Sequence, residues 1–267
     1  MLSPPELDSM PRFAANLSTM FTEVPLRERF ALAADAGFEA VEIQEPYDLP
    51  AGTVARVLKE CGLDLVLVNA PGGEAGLAGI PGAEREFGNC LKVALDYAAV
   101  TGTGLVHVLS GIRPPATAPE ACEGVLVKNL RQASSKASSL GITLLVEPIN
   151  ERDVPGYILT RQDHARRVVK AVDRANVRIQ FDFYHCQVSE GDLSRHFTEQ
   201  LPLIGHVQIS DNPGRHEPGT GEINHDWIFD LIDRSGYKGW VGAEYTPART
   251  AQEGLGWFAP WRGRPVT

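Results

Sequence analysis

The feature that most constrains the fold is a regular alternation of short apolar segments and longer amphipathic segments along the chain. Eight short segments have the length of strands and are largely apolar, and all but the first contain β-branched residues, as strands buried on both faces usually do. The segments between them show helical periodicity and often end at a glycine, which is a common helix stop. The predicted strands are 13–16, 40–43, 63–69, 105–109, 142–147, 177–181, 206–210 and 239–245, and the predicted helices are 25–36, 50–61, 84–102, 119–140, 160–174, 192–200 and 224–235.

This alternation predicts a parallel sheet with helices packed outside it. Eight strand-then-helix units of roughly 30 residues favour closure into a single (β/α)8 TIM barrel. An open doubly wound sheet is the alternative, but no G-x-G-x-x-G motif follows the first strand. No linker divides the chain, so we expect residues 11–260 to form one barrel domain. We expect residues 1–10 to be a disordered N-terminal extension, because they are polar and contain prolines.

Composition weighs against several classes of function. The 267 residues carry a formal net charge of −9, which disfavours a nucleic-acid or anionic-membrane surface. The first ten residues lack the apolar core of a signal peptide, and no apolar run is long enough to span a membrane. The four cysteines are scattered without a C-x-x-C motif, so neither a zinc knuckle nor a disulfide framework is indicated. We therefore expect a cytoplasmic location.

Oxygen-bearing side chains stand at the ends of four predicted strands. Glu147 follows three apolar residues and precedes Pro148, which ends the strand. Asp182, Gln208 and Glu244 occupy the same position in their own strands. Because the C-terminal strand ends of such a barrel surround its active site, we expect these four side chains to converge. Four further strand ends are polar, and their residues either cap loops or belong to the same pocket: Asn16, Glu42, Asn69 and His107.

Three carboxylates brought together without a partner would repel one another and lose hydration. A divalent cation removes that cost directly. Three carboxylates and one amide oxygen make a hard, oxygen-rich donor set, which suits Mg²⁺ or Mn²⁺, with Co²⁺ as a further option. Zinc would usually take more nitrogen or sulfur ligands.

Six longer motifs stand out along the chain: RFAANLS at 12–18, EPIN at 147–150, FDFYHCQ at 181–187, HVQISDNP at 206–213, EPGTGEIN at 217–224 and GWVGAEY at 239–245. With these motifs the chain resembles the hydroxypyruvate isomerases, which belong to the xylose isomerase-like TIM barrels and have the ketose 3-epimerases as relatives. The resemblance covers nearly the whole chain from residue 10. One departure is the loop after Asn69, which is shorter than the family pattern.

The resemblance implies that Glu147, Asp182, Gln208 and Glu244 bind the metal. It also implies that Glu147 and Glu244 form the acid–base pair that moves a proton between adjacent carbons. Gln208 stands where the epimerases have a histidine ligand, and this difference favours the hydroxypyruvate isomerase branch.

Four further residues are predicted to bind the substrate. By the resemblance, His185 contacts a substrate oxygen, although a loop histidine satisfied by the backbone is the alternative. Arg215 lies in a predicted loop over the barrel mouth, where its guanidinium could bind a carboxylate bidentately or remain a solvated charge. Asp153 falls where the epimerases keep an acid outside the metal ligands, and Asn69 ends the third strand.

The expected activity is the interconversion of hydroxypyruvate and tartronate semialdehyde (2-hydroxy-3-oxopropanoate) through an enediolate. The alternatives are a 2-oxo-tetronate isomerase and a ketose 3-epimerase. A nuclease of the endonuclease IV type should have a histidine-rich zinc cluster and a basic face, and neither is evident in the sequence. A non-catalytic metabolite-sensing barrel is the remaining alternative. The expected partner is a small hydroxy-oxo acid, and a homo-oligomer is a further expectation.

Overall fold

The computed structural model describes residues 11–73 and 75–261, and these form one closed parallel barrel. Each strand pairs with the next along the chain, and the first pairs with the eighth, so the predicted (β/α)8 class is confirmed. The expected extension at residues 1–10 lies outside the described residues. The strands are β1 Arg12–Asn16, β2 Ala40–Ile43, β3 Asp64–Asn69, β4 Leu105–His107, β5 Thr143–Val146, β6 Val177–Asp182, β7 Ile204–Ile209 and β8 Trp240–Ala243.

The helices surround this barrel. In chain order they are α1 Leu26–Asp35, α2 Ala51–Cys61, α3 Glu84–Thr101, α4 Pro119–Ser139, α5 Gln162–Val172, α6 Phe183–Ser189, α7 Leu193–Gln200 and α8 His225–Arg234. Within the described part of the chain, none of them has the length and apolar character needed to cross a membrane. The four cysteines are free thiols, as the sequence indicates.

Two elements differ from the sequence prediction. Helix α6 was not predicted; it begins directly after β6, where the Asp182 carboxylate accepts a hydrogen bond from the Tyr184 backbone N–H at 2.7 Å. This is an N-cap, which stabilises the first turn of a helix. The eighth unit of the described chain ends in the 3-10 helix Glu253–Trp261 rather than in an α-helix. The prediction of eight strand-then-helix units is therefore wrong in its last helix.

Aromatic packing explains how the 3-10 segment takes that place. The Phe13 ring on β1 makes edge contacts with Phe229 on α8 and with Trp257 and Trp261, at centroid distances of 5.0, 5.1 and 5.5 Å. Large rings bury more apolar area per residue than aliphatic side chains do. A short segment rich in aromatic residues can therefore cover the β8–β1 side of the barrel.

The barrel interior has an apolar layer and a polar layer. Small and aliphatic side chains, among them Ala14, Ala40 and Leu145, form the lower cluster. One pleat closer to the strand C-termini, Asn16 and Glu42 lie side by side in register and both are fully buried. The polar layer therefore separates the apolar base of the barrel from its mouth.

Glu42 is the centre of this polar layer. Its carboxylate accepts hydrogen bonds from Gln208 Nε2 at 2.7 Å and from Asn16 Nδ2 at 3.1 Å, and His206 Nε2 lies 2.7 Å from its other oxygen. A buried carboxylate with this many partners is compensated for its lost hydration. A Cβ atom at Gly242 would lie 2.4 Å from both carboxylate oxygens. Glycine at this position of β8 therefore makes room for the buried acid.

We expect Gly242→Ala to lower the free energy of unfolding by about 1–3 kcal/mol, because overpacking forces Glu42 away from its donors. Urea denaturation in the presence of chelator measures this change. The matched control is Gly88→Ala on α3, where an added Cβ meets no heavy atom within 4 Å outside its own helix in the described chain. That change should raise stability by about 0.5–1 kcal/mol. A Gly242→Ala protein as stable as the native chain would contradict this account of the barrel interior.

Candidate active site

A cavity of about 640 Å³ opens at the C-terminal ends of the strands. Its position matches the active-site face of parallel barrels. Asp182 is buried and is not among the residues that line this cavity. The other predicted site residues line the cavity: Asn69, Glu147, Asp153, His185, Gln208, Arg215 and Glu244. The structure thus brings the predicted residues of the site together at one end of the barrel.

Glu147, Asp182 and His185 form the tightest cluster of potential metal ligands. One donor atom from each lies within 4.8 Å of the others, and all three residues are buried. His185 Nε2 is 3.7 Å from Asp182 Oδ2 and 4.0 Å from Glu147 Oε1. His185, predicted only as a substrate ligand, therefore stands directly beside the acids.

The donor atoms of this cluster fit a divalent cation. Glu147 Oε1 and Asp182 Oδ2 are buried without a hydrogen-bond partner among the described residues. Buried carboxylate oxygens without a partner are rare, because their lost hydration is uncompensated. These two carboxylate oxygens would give such an ion the kind of donor found in Mn²⁺, Mg²⁺ and Co²⁺ sites.

Arg215 supplies positive charge next to these acids. Its Nη2 lies 3.2 Å from Glu244 Oε2 and 3.6 Å from Asp182 Oδ2, and its guanidinium lies 5.1 Å from the centre of the Tyr184 ring. Burial alone would lower the pKa of Arg215, but the neighbouring carboxylates, Glu244 foremost, raise that pKa above its ordinary value. Arg215 is therefore a permanent cation in the lining of the cavity.

The three acids repel one another despite Arg215. Burial, followed by the charges of Glu244 and Asp182, raises the pKa of Glu147 well above its ordinary value. Burial raises the pKa of Glu244 to about 7, with Arg215 opposing the shift. Burial also raises the pKa of Asp182, again against Arg215. The positive charge present is thus insufficient for three ionised carboxylates.

Gln208 links the cavity to the polar layer below it. Its Oε1 accepts a hydrogen bond from Gln180 Nε2 at 2.6 Å, and its Nε2 donates to Glu42. The amide nitrogen of Gln208 therefore faces Glu42, and its oxygen faces Gln180. A carbonyl oxygen has two lone pairs, so Oε1 keeps one for a further contact. The role of Gln208 as a metal ligand stays a prediction.

His107 was not among the predicted site residues, although its place at the end of β4 was noted as polar. Its Nδ1 lies 3.2 Å from Asn69 Oδ1, and its Nε2 lies 3.6 Å from Glu147 Oε2. Burial, followed by the charge of His206, lowers the pKa of His107 to about 3, so the ring is neutral. With Nδ1–H donating to Asn69, the lone pair of Nε2 faces the site. Asn69 therefore acts on the site through the orientation of His107.

Asp153 also acts through a neighbour. Asn150 donates from Nδ2 to Asp153 Oδ2 at 3.1 Å, and the same nitrogen lies 2.7 Å from His185 Nδ1. The chain Asp153–Asn150–His185 holds the imidazole with Nε2 toward Glu147 and Asp182. Asn150 was missed as a functional residue, although it closes the quoted motif at 147–150.

The loop that carries Arg215 is held by one buried acid. The carboxylate of Asp211 accepts backbone hydrogen bonds from Asn212, Gly219, Gly221 and Ile223 at 2.8–3.0 Å. These bonds connect both ends of the loop 212–223 to the end of β7. The hydrogen bonds to Asp211 therefore fix the loop that holds Arg215 next to the acids.

Comparisons with known proteins show the family to which the chain belongs. A family model described as xylose isomerase-like TIM barrel matches residues 30–261. A 2-oxo-tetronate isomerase from Cupriavidus necator is 45% identical over 96% of this chain and all of its own length. A hydroxypyruvate isomerase from Escherichia coli is 43% identical over 95% of this chain and all of its own length.

Solved structures add two observations. A protein from Brucella melitensis, described as an AP endonuclease of family 2, superposes with a TM-score of 0.92 at 46% identity and covers 95% of this chain and all of its own. A D-psicose 3-epimerase from Clostridium cellulolyticum has a TM-score of 0.77 at 18% identity, over 96% of this chain and 91% of its own, and this likeness concerns the fold alone. The chain therefore belongs to the xylose isomerase-like TIM barrel family.

Proposed function

We propose that the protein is an isomerase that interconverts hydroxypyruvate and tartronate semialdehyde. The observation that carries the proposal is the pair of buried glutamates, Glu147 and Glu244, in one cavity at the barrel mouth. Their charges are close enough for that of Glu244 to raise the pKa of Glu147. Two carboxylates in one pocket can serve as a base and an acid for the same substrate.

The reaction moves one carbon-bound proton and one oxygen-bound proton. One glutamate takes a proton from C3 of hydroxypyruvate and leaves an enediolate, and a proton is then returned to C2 by the other glutamate. The hydroxyl proton passes from O3 to O2. His107 Nε2, which has a free lone pair next to Glu147, accepts a hydrogen bond from a substrate hydroxyl and orients it. The pocket thereby holds the two carbons between the glutamates.

A divalent cation, Mg²⁺ or Mn²⁺ with Co²⁺ as a further option, would be held by Glu147, Asp182, Gln208 and Glu244 and would supply positive charge against the charge that develops on the substrate oxygens. Glu147 Oε1 and Asp182 Oδ2, which accept no hydrogen bond from the described residues, support this assignment. The Nδ1 atom of His185 accepts from Asn150, so Nε2 carries the ring proton and donates it in a hydrogen bond to a substrate oxygen. Arg215 is one of two arginines that line the cavity, and so one of two candidate partners of the substrate carboxylate.

A 2-oxo-tetronate isomerase is the second candidate. It is favoured by the relative of 45% identity and by a cavity much larger than a three-carbon acid. The chemistry at C2 and C3 would be the same. The presence of Gln208 weighs against a ketose 3-epimerase, and the acidic cavity weighs against a nuclease. A cytoplasmic location and a homo-oligomeric state stay predictions.

Glu147→Gln and Glu244→Gln should each lower kcat for hydroxypyruvate by about 10²- to 10⁴-fold, because an amide can neither take nor return the proton. A coupled assay measures this loss. The control is Glu45→Gln, the same chemical change in an exposed residue of the cavity rim, which should stay within about threefold of the native rate. A fully active variant of either buried glutamate would refute the acid–base assignment.

Removal of divalent cations by chelation should abolish turnover, and Mn²⁺ or Mg²⁺ should restore it. Added Mn²⁺ should also raise the melting temperature of the chelated protein, since an ion that binds only the folded state stabilises it. Calorimetry records that rise, and Asp182→Asn should reduce it. Turnover unchanged by chelator would overturn the metal assignment.

Substrate preference can be tested by comparing kcat/KM for hydroxypyruvate, 2-oxo-tetronates and free ketoses on the Mn²⁺-loaded protein. We expect the two acids to exceed the ketoses by roughly 100-fold, because a charged site discriminates strongly against analogues without the matching group. The acid with the higher kcat/KM decides between a hydroxypyruvate isomerase and a 2-oxo-tetronate isomerase. A ketose as the best substrate would favour an epimerase instead.

A further inference from the structure

A second arginine, Arg29 on α1, lines the same cavity at the side formed by the loops that follow β1 and β2. It was not among the residues predicted from sequence. Its Nε donates to the Val24 carbonyl at 2.9 Å, and its Nη1 donates to the Leu17 carbonyl at 2.6 Å. These two bonds fix the plane of the guanidinium. Arg29 is therefore a positioned cation at the cavity wall rather than a freely rotating surface charge.

The remaining donors of Arg29 make no hydrogen bond to any residue that the structure describes. A guanidinium has five N–H groups, of which the two carbonyls use one on Nε and one on Nη1. Nη2 and the second hydrogen of Nη1 remain, and these form the end of the fork that matches the two oxygens of a carboxylate. Among residues 11–73 and 75–261, no carboxylate oxygen lies within 4.0 Å of its nitrogens. The charge of Arg29 is consequently available to a ligand.

The charge of Arg215, in contrast, is already engaged by Glu244 and Asp182. Together, Arg215 and a divalent cation would neutralise the three acids Glu147, Asp182 and Glu244. An anionic substrate entering this neutral centre would bring one uncompensated negative charge. Of the described residues that line the cavity, only Arg29 and Arg215 are arginine or lysine. Arg29 is thus the cation left to match the substrate.

We propose that Arg29 binds the carboxylate of the hydroxy-oxo acid and selects acids over neutral ketoses. This inference rests on the proposed function, which supplies the acid substrate. In this arrangement Arg215 remains the counter-charge of the glutamates, and Arg29 anchors the unreactive end of the substrate. Such an anchor binds the ground state and the transition state alike, so it affects KM rather than kcat.

The test compares Arg29→Met with Arg27→Met, a matched change at an exposed residue of the same helix that does not line the cavity. Arg29→Met should raise KM for hydroxypyruvate roughly 10- to 100-fold, the range expected for lost hydrogen bonds to a charged group, while kcat stays within about threefold. Turnover of dihydroxyacetone, the neutral analogue in which a hydroxymethyl group replaces the carboxylate, should not fall. Arg27→Met should match the native protein.

Arg29→Lys keeps the positive charge but loses the bidentate guanidinium. Its KM for hydroxypyruvate should lie between those of the native protein and Arg29→Met. It also decides the question if Arg29→Met fails to fold, because its KM should still rise. A KM for Arg29→Met within about twofold of the native value, or an equal loss with dihydroxyacetone, would overturn the proposal.

Failure of the proposed function is distinguishable from failure of this inference. If the native protein turns over neither acid, the dissociation constant of hydroxypyruvate, measured by calorimetry, replaces KM in the same comparison. A dissociation constant at least about tenfold higher for Arg29→Met than for the native protein supports Arg29 as the carboxylate site even without turnover. An unchanged constant, or no binding to the native protein, overturns it.

Discussion

Repulsion among three buried carboxylates is the constraint on which the mouth of this barrel depends. Glu147, Asp182 and Glu244 come from three different strand ends, and burial raises the pKa of each. Arg215 reduces the repulsion without abolishing it. A site in this condition gains stability from any divalent cation that enters it. The same repulsion is what the proposed divalent cation would relieve.

Buried acids in this protein have two different fates. Glu42 has Asn16, His206 and Gln208 around its carboxylate, and Gly242 leaves the space that this arrangement needs. Glu147 lies within 4.0 Å of His107 and His185, but its Oε1 accepts no hydrogen bond from the described residues. A fully hydrogen-bonded buried acid favours one packing arrangement of the barrel interior. An incompletely hydrogen-bonded acid can still bind a ligand or exchange a proton. This contrast agrees with a structural role for Glu42 and with the proposed acid–base role of Glu147.

Sequence reasoning captured the features that depend on local pattern. The alternation of strands and helices predicts the closed barrel, and an acid at a strand end, such as Glu147 before Pro148, predicts where the site lies. Features that depend on distant partners escaped it. Glu42 meets His206 and Gln208 more than 160 residues away. The orientation of Arg29 depends on two backbone carbonyls, Val24 and Leu17, whose directions no residue type reveals. Helix α6 depends on the Asp182 cap, which uses Oδ1 and leaves Oδ2 for the ligand role that the sequence suggested.

The four hydrogen bonds from the loop backbone to Asp211 have a thermodynamic consequence for substrate binding. Ordering a loop of this length upon ligand binding would cost roughly 1–2 kcal/mol per residue in backbone entropy. Here the loop 212–223 loses that freedom when the protein folds. A ligand that enters the cavity then finds Arg215 already in place beside the acids, so little of its binding free energy would be spent on ordering this loop. The buried Asp211 thus makes the mouth of the barrel a preorganised surface instead of a lid that must close.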